Sequence, residues 1–507
     1  MRQQIESPEA SCSFFLPSPS KVKRFVMHGD IAKKIKKLDS TLDRITKEKD
    51  QFRFDYASTC AASHSEQELM RVTTAFDVDA SQIQGCPYFS RLPEGIGNLI
   101  NLRHLNIRGT NRLEMMPQGI AKLTQLCSLS EFKVGKESSK LGYMEKLNQL
   151  KGELSIFFLC DLNNAADVEE AEKAELRNKK HIKELRLDFS DGVDVGIDVM
   201  EALKPPPELQ TLELNGYGGI HLPSWILLSP DNLRILEIRR CVNCSSLPPL
   251  GKLPSLETLL IAGMKELRYV GREFLGVTKV GGVAFPKLKT LEFERCEEWE
   301  EWEDLKEEAT IIIMPCIREL QLKYCTKLKT VPHYLLSRLE SLEIEDCTRV
   351  IVGIDALKPP LELQTLKLVG YEGTHFPSWI TLPLHNLRIL RIDECLNCSS
   401  LPPLGKLPSL ETLSISNMYE LRYVGRELLG VTEVGGVAFP KLKELHFYSC
   451  EEWEEWEDLK EEATIIIMPC IRELRLIDCE KLKTVPHHLL SRLEYLKIEG
   501  CPHLKVE

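Results

Sequence analysis

Long apolar runs are missing from this chain. The longest, such as residues 311–313, are a few residues each, far short of the roughly 20 that span a bilayer. No membrane insertion is expected. Basic excess is also missing: 65 Lys and Arg stand against 76 Asp and Glu, for a net charge of −11. A general nucleic-acid binder needs a basic face to displace phosphate counterions, so no nucleic-acid partner is expected. GxxxxGK[ST] occurs nowhere, so no loop is built to cradle a nucleotide's phosphates. The 12 histidines form no HExxH cluster. His333, His487 and His488 follow LKTVP with no Ser or Cys nucleophile in a supporting motif. The expectation is a non-enzyme with no catalytic residue, cofactor or metal. The opening residues MRQQIESPEASCSFFLPSPS hold too short an apolar stretch, residues 14–16, for a secretory signal. A cytoplasmic location follows, and the 17 cysteines are expected as thiols. Asn243 and Asn397, each followed by Cys-Ser, match the glycosylation sequon but should then stay unmodified.

A period is present instead. LxxLxLxxC or a close relative begins at Leu102, Ile182, Leu209, Leu233, Leu256, Leu288, Ile317 and Leu339, and again at Leu363, Leu387, Leu410, Leu442, Ile471 and Leu493. Weaker forms begin at Leu126 and Leu154, giving about 16 repeats over residues 85–507. Their spacing of 22 to 32 residues lies at the leucine-rich-repeat period. The apolar positions alternate along a short strand and point inward. One such strand cannot bury its apolar side, but neighbours stacked about 4.8 Å apart make a parallel sheet with a continuous core. The fold expected is α/β: a leucine-rich-repeat solenoid, horseshoe-like, with a parallel sheet on the concave face. The ninth position, occupied by Cys241, Cys296, Cys325, Cys347, Cys395, Cys450, Cys479 and Cys501, is expected to be a small, dry turn out of the sheet. The pairs Cys241/Cys244 and Cys395/Cys398 lack the nearby second pair of a zinc ribbon. One is the duplicate of the other.

That duplication is the most informative feature. Residues 203–347 recur as 357–501, with 113 of 145 aligned positions identical. Positions three, five, seven and eight of the repeat should face solvent. Across six repeats, 18 of these 24 positions differ between the copies, against 14 of the other 121. Drift at exposed sites would also have altered the outer loops, yet EEWEEWEDLKEEATIIIMP is unchanged at 297–315 and 451–469. The pattern reads as a varied binding face on a fixed framework. The candidate ligand-binding residues are Glu237, Arg239, Arg240, Glu292, Glu294, Arg295, Gln321, Lys323 and Tyr324 in the first copy. In the second they are Arg391, Asp393, Glu394, His446, Tyr448, Arg475 and Asp478. The tryptophans of the acidic loops, Trp299, Trp302, Trp453 and Trp456, are expected to pack those loops onto the solenoid.

Before the repeats, Ile31, Ile35, Leu38, Leu42, Ile45 and Phe52 form an apolar stripe at helical spacing, with Asp30 as N-cap. The domain layout expected is a disordered tail at 1–20, a short helical segment at 21–60, a junction at 61–84 and repeats at 85–507. The stretch KVKRFVMHGDIAKKIKKLDSTLDRITKEKDQFRF resembles the last helix of the N-terminal coiled-coil domain of plant intracellular immune receptors. GYGGIHLPSWI, LRILEIRRCVNCSSLPPLGKLPSLETL, CEEWEEW and RLPEGIGNLINLRHLNIRGT resemble their leucine-rich repeats, of the R13L1/DRL21-like kind. The family is the coiled-coil, nucleotide-binding, leucine-rich-repeat class of disease-resistance proteins. The chain departs from it in having no nucleotide-binding domain between helix and repeats, as a truncated member would. The resemblance implies a role in innate immunity, with a protein ligand that is a pathogen effector or a guarded host protein. It also implies a contact in trans with the nucleotide-binding domain of a related receptor. The alternative is a non-signalling adaptor or decoy that pairs with a full-length receptor.

Overall fold

The structure is a computed structural model. It describes residues 90–505, apart from segments at 136–139, 160–161, 163, 190–195, 229–230, 277–281, 305–310, 348, 351–360, 383, 431–435 and 459–464. The tail at 1–20, the helix expected over 21–60 and the junction at 61–84 lie outside the described residues. The chain forms two compact units, Met1–Gln149 and Leu150–Glu507.

In the first unit each described repeat is short. His104–Leu105 pairs in parallel with Ser128–Leu129. The returning segments are single 3₁₀ turns at Glu94–Asn98, Gln118–Lys122 and Leu141–Met144. Gly97 and Gly119 let two of these turns touch, since a Cβ at Gly97 would meet the Gly119 Cα at 2.8 Å.

The second unit holds the long parallel sheet. Its strands follow chain order from Lys151–Phe157 through His181–Asp188 and Thr211–Asn215 to Tyr495–Glu499, each paired with the next. Within the duplicated region the strands are five residues long, and most alternate half-buried and buried, as Thr290–Glu294 does. From Thr211–Asn215 to Glu473–Ile477 positions four and six, such as Leu291 and Phe293, are buried, as is the Leu or Ile that opens each motif, whereas in the last strand Leu496 and Ile498 are exposed. The α/β leucine-rich-repeat solenoid is therefore the fold. Parallel sheets usually have both faces covered. Here the outer side is covered by helices such as Ala165–Lys173 and by short turns and strand pairs, while the other face is open and polar.

The turn out of the sheet lies one residue earlier than the sequence suggests. Position eight, not position nine, carries the left-handed backbone: φ is 53° at Arg240, 52° at Arg295, 55° at Tyr324, 51° at Glu394 and 54° at Asp478. Gly216, Gly263, Gly370 and Gly500 hold the same place with positive φ, which glycine adopts without steric cost. Each position-eight N–H donates to the position-seven carbonyl of the next strand. Examples are Arg240 to Ala262 at 2.7 Å and Tyr324 to Glu345 at 2.8 Å. This column of bonds keeps the register of neighbouring strands.

Position nine is the dry plug beneath the turn. Its thiol donates back to the position-seven carbonyl, as Cys347 does to Glu345 at 3.2 Å. Hydrogen bonds between neighbouring thiols and burial push Cys325 and Cys347 well above the usual thiol value. Cys244 and Cys398 donate to the carbonyls of Gly219 and Gly373 at 3.0 and 3.1 Å, and burial pushes Cys398 up to about 11. Alkylation tracked by mass spectrometry checks this packing, because the thiolate is the reactive form. The exposed Cys316 and Cys470 should label within minutes in the native protein. Cys296, Cys325, Cys347 and Cys450 should label only after denaturation. Early labelling of any of those four would contradict it.

The acidic outer loops pack as expected. Trp299 and Trp453 are 0% exposed, and Trp302 and Trp456 are buried beside them. The loop carboxylates hold lysines of the next repeat: Glu298 to Lys327 at 2.6 Å and Glu300 to Lys329 at 3.1 Å.

Candidate functional site

Strand register sorts the candidate residues into three rows that cross the sheet. Glu237, Glu292, Gln321, Arg391, His446 and Arg475 stand in the row of position five. Arg239, Glu294, Lys323, Asp393 and Tyr448 stand in the row of position seven. Arg240, Arg295, Tyr324, Glu394 and Asp478 sit at the position-eight turns. These last five therefore leave from a left-handed turn at the rim rather than from the flat of the sheet.

Row five changes sign at the boundary between the copies. In the first copy it runs Glu213, Glu237, Leu260, Glu292, Gln321, Glu343, each in register with the next. In the second it runs Lys367, Arg391, Ser414, His446, Arg475, Lys497. Acidic side chains give way to basic ones at the same place in the repeat. The neighbouring positions lose their positive charge at the same time: Arg239 and Arg240 correspond to the acids Asp393 and Glu394, and Lys323 and Arg295 to the neutral Ile477 and Ser449.

In the first copy these charges are wired to one another. Lys323 donates to Gln321 at 2.6 Å and Glu292 at 3.1 Å, and lies 3.8 Å from Glu343. Gln321 in turn donates to Glu319 at 2.7 Å. The Tyr324 hydroxyl donates to Glu345, which pushes the phenol up to about 12. Arg239 pairs with Glu237 at 2.9 Å, and the Arg295 guanidinium lies 5.4 Å from the Tyr324 ring centre. A further network was not visible by comparing the copies, because part of it precedes the duplication. Arg186 bridges Asp188 at 2.9 Å and Glu213 at 3.0 Å. Asn215 joins Asp188 at 2.7 Å to the Arg240 guanidinium at 2.9 Å. Burial raises the Glu213 carboxyl above its usual value, against the pull of Arg186.

The second copy is less fully wired. Arg475 pairs with Glu473 at 2.5 Å, and His446 approaches the same carboxylate at 3.3 Å. Burial pulls the His446 imidazole below its usual value, so it is mostly neutral at pH 7. Asn417 donates to Asp393 at 2.9 Å and Thr412 to Glu444 at 3.1 Å. Between these side chains lies a depression of about 480 Å³ that brings together Arg391, Asp393, His446, Tyr448 and Arg475. Its floor is Ser414 and Ser416, where the first copy has the buried Leu260 and Ala262. Those serines lie outside the charge reversals that mark the other candidates. Reading each row across the repeats, rather than pooling the outward positions, would have found them.

Among the described residues, no three His, Cys, Asp or Glu side chains are grouped to hold a metal ion. No described helix is long and apolar enough to cross a membrane.

An open, polar, charge-patterned sheet face on a repeat framework defines a leucine-rich-repeat protein whose site is a surface and not a cleft. Comparison with known proteins gives the more particular likeness. Residues 141–264 and 348–418 match the R13L1/DRL21 leucine-rich repeats. The chain is 31% identical over 337 residues to the disease resistance RPP13-like protein 1 of Arabidopsis thaliana, covering 56% of this chain and 31% of that protein. It is 30% identical over 294 residues to the disease resistance protein RGA2 of Solanum bulbocastanum, covering 55% of this chain and 27% of that one. The chain thus spans about a third of the length of these relatives or less. Among solved structures, a leucine-rich-repeat protein of Leptospira interrogans aligns over 83% of this chain and 93% of its own, at 16% identity and a TM-score of 0.37. The resemblance read from the repeat motifs is thus to the repeat region of disease-resistance proteins.

Proposed function

We propose that the chain is a plant-defence recognition protein whose open sheet face binds a protein ligand, a pathogen effector or a host protein that such an effector modifies. One observation carries the reading: between two copies that are otherwise nearly identical, change is concentrated on the solvent-facing positions of the strands, on a face that none of the described elements covers. Tight packing resists change at buried positions, whereas outward side chains can be retuned without unfolding a repeat. The disease-resistance relatives supply the biological setting. A related receptor's nucleotide-binding domain is a partner in trans; in the alternative, an adaptor or decoy that pairs with a full-length receptor, the helix expected over 21–60 supplies that contact. No step of chemistry is assigned to the face.

The test exchanges one repeat's outward charges for those of its duplicate: Glu237→Arg, Arg239→Asp and Arg240→Glu together. Co-immunoprecipitation against a panel of pathogen effectors and their host targets, in leaf tissue, should show a changed set of bound proteins. The melting temperature should stay within a few degrees, because these side chains are half-exposed or exposed. A folded variant that binds the same set as the parent would count against recognition through this repeat.

A further inference from the structure

The two copies differ in whether their donors are already engaged. On the first copy's face the row-seven cations have row-five carboxylate partners: Lys323 has Glu292, and Arg239 has Glu237. A ligand there must displace bonds that exist. At the copy boundary Lys367 is likewise held, by Glu343 at 2.6 Å. Arg475 has Glu473, and Lys497 has Glu499 at 2.8 Å.

Arg391 is the exception in this row. Its side chain is exposed and makes no hydrogen bond or ion pair among the described residues. It is in register with Ser414, whose strand continues to Ser416. The hydroxyls of Ser414, Ser416 and Tyr448 also have no partner among the described residues. All four line the 480 Å³ depression. Three acids also line it: Glu473 is paired with Arg475, while Asp393 and Glu444 keep their charge and each accepts a hydrogen bond from a neutral donor, Asn417 and Thr412. What remains unspent is a planar guanidinium facing a floor of hydroxyl groups. A guanidinium matches a carboxylate with two parallel N–H···O bonds, and hydroxyls can serve the remaining lone pairs. Ser414 and Ser416 stand where the first copy has Leu260 and Ala262.

We propose that the second copy, at Arg391 and the Ser414–Ser416 floor, takes a carboxylate side chain from an acidic segment of a partner protein. The proposal rests on the recognition reading for its biological meaning, but its chemistry can be tested without it.

The probe is a fluorescein-labelled oligoglutamate peptide, with an oligolysine of equal length as the opposite-charge arm, read by fluorescence anisotropy on the full chain. Oligoglutamate should bind and oligolysine should not bind at this face. Arg391→Glu, which installs the charge of the first copy's Glu237, should weaken oligoglutamate binding by about tenfold or more, the scale of a charge-assisted bidentate pair. Arg391→Lys should lose less, since a point charge replaces the fork. Lys252→Glu makes the same change of net charge on an exposed residue of the 3₁₀ turn Leu250–Lys252, and binding should stay within about twofold if the effect is local. The idea is overturned if wild type does not bind oligoglutamate. It is equally overturned if Arg391→Glu binds as well as wild type, or if Lys252→Glu loses as much. A failed probe with a successful exchange at Glu237, Arg239 and Arg240 would sink this inference alone. A bound probe with an unaffected exchange would sink recognition through that first-copy repeat alone.

Discussion

Trp299→Ala is expected to destabilise the solenoid by about 3–5 kcal/mol, the range for emptying a buried aromatic site. The indole is 0% exposed. It stacks against Phe293 at 4.4 Å between ring centres and Trp302 at 5.1 Å, while Phe293 and Trp302 also meet at 5.4 Å. Its Nε1–H donates to the Glu301 carbonyl at 3.0 Å. Removing it leaves a void at the centre of a three-ring cluster, and the outer loop loses its anchor. Repeat stability is close to a sum of local and nearest-neighbour contributions, so the damage should stay near its origin. Hydrogen exchange should show the strands Thr290–Glu294 and Glu319–Lys323 losing protection while His181–Asp188 keeps its own. Trp453→Ala supplies an internal control, because Phe447 and Trp456 surround it at 4.4 and 5.3 Å. The two variants should match within about 1 kcal/mol, the usual scatter of context. An unchanged urea midpoint for either would mean that the tryptophans decorate the loop without holding it.

The fold was legible because it depends on period alone. Leu291 and Phe293 are inward whatever stands between them, and a motif repeated along the chain stacks in only one way. The turn was harder to read. Gly216, Gly263, Gly370 and Asn417 at position eight announce a left-handed backbone, but Arg240, Tyr324 and Glu394 in the same column do not. The tertiary stacking imposes that conformation on them against a steric cost of about 1–2 kcal/mol each, and the position-eight hydrogen bonds offset it. The binding face was legible as a set of positions and not as a pattern. Comparing the copies marks Glu237 and Arg391 as different. Strand pairing then places Glu343 beside Lys367 at the change of sign. Arg186 and Asp188, which anchor one end of the first copy's network, lie outside the duplication, so no internal comparison could reach them. Glu319 and Glu473 are identical between the copies, so comparing the copies does not mark them. Yet each orients the residue two places on, Gln321 and Arg475.

Replacing Lys323 by isoleucine, the residue at the equivalent place in the second copy, is expected to cost about 1–3 kcal/mol at neutral pH, the range for leaving half-buried charged groups without a partner. The exchange looks harmless by descent, since Ile477 already occupies this position in the duplicate. It is not harmless in context. Ile477 stands in row seven between Tyr448 and Glu499, beside the row-five residues His446, Arg475 and Lys497, whereas Lys323 sits among Glu292, Gln321 and Glu343. Burial pulls the Lys323 ammonium down, but the hydrogen bond with Glu292 and the charges of Glu343 and Glu345 outweigh it, and the folded value lies above the usual 10.5. A cation bound more firmly in the folded state stabilises fully below its unfolded value. That contribution then fades as pH rises through the folded value. The gap in urea stability between wild type and Lys323→Ile should therefore be flat from neutral pH to about 10 and close above it. A gap that is absent at pH 7 would mean that the first copy's charge network is solvated surface. A gap that persists unchanged through the alkaline range would mean that the lysine acts through the packing of its stem and not through its charge. The same logic separates the two faces: the first copy uses its cations to neutralise its own acids, and the second leaves Arg391 for something else.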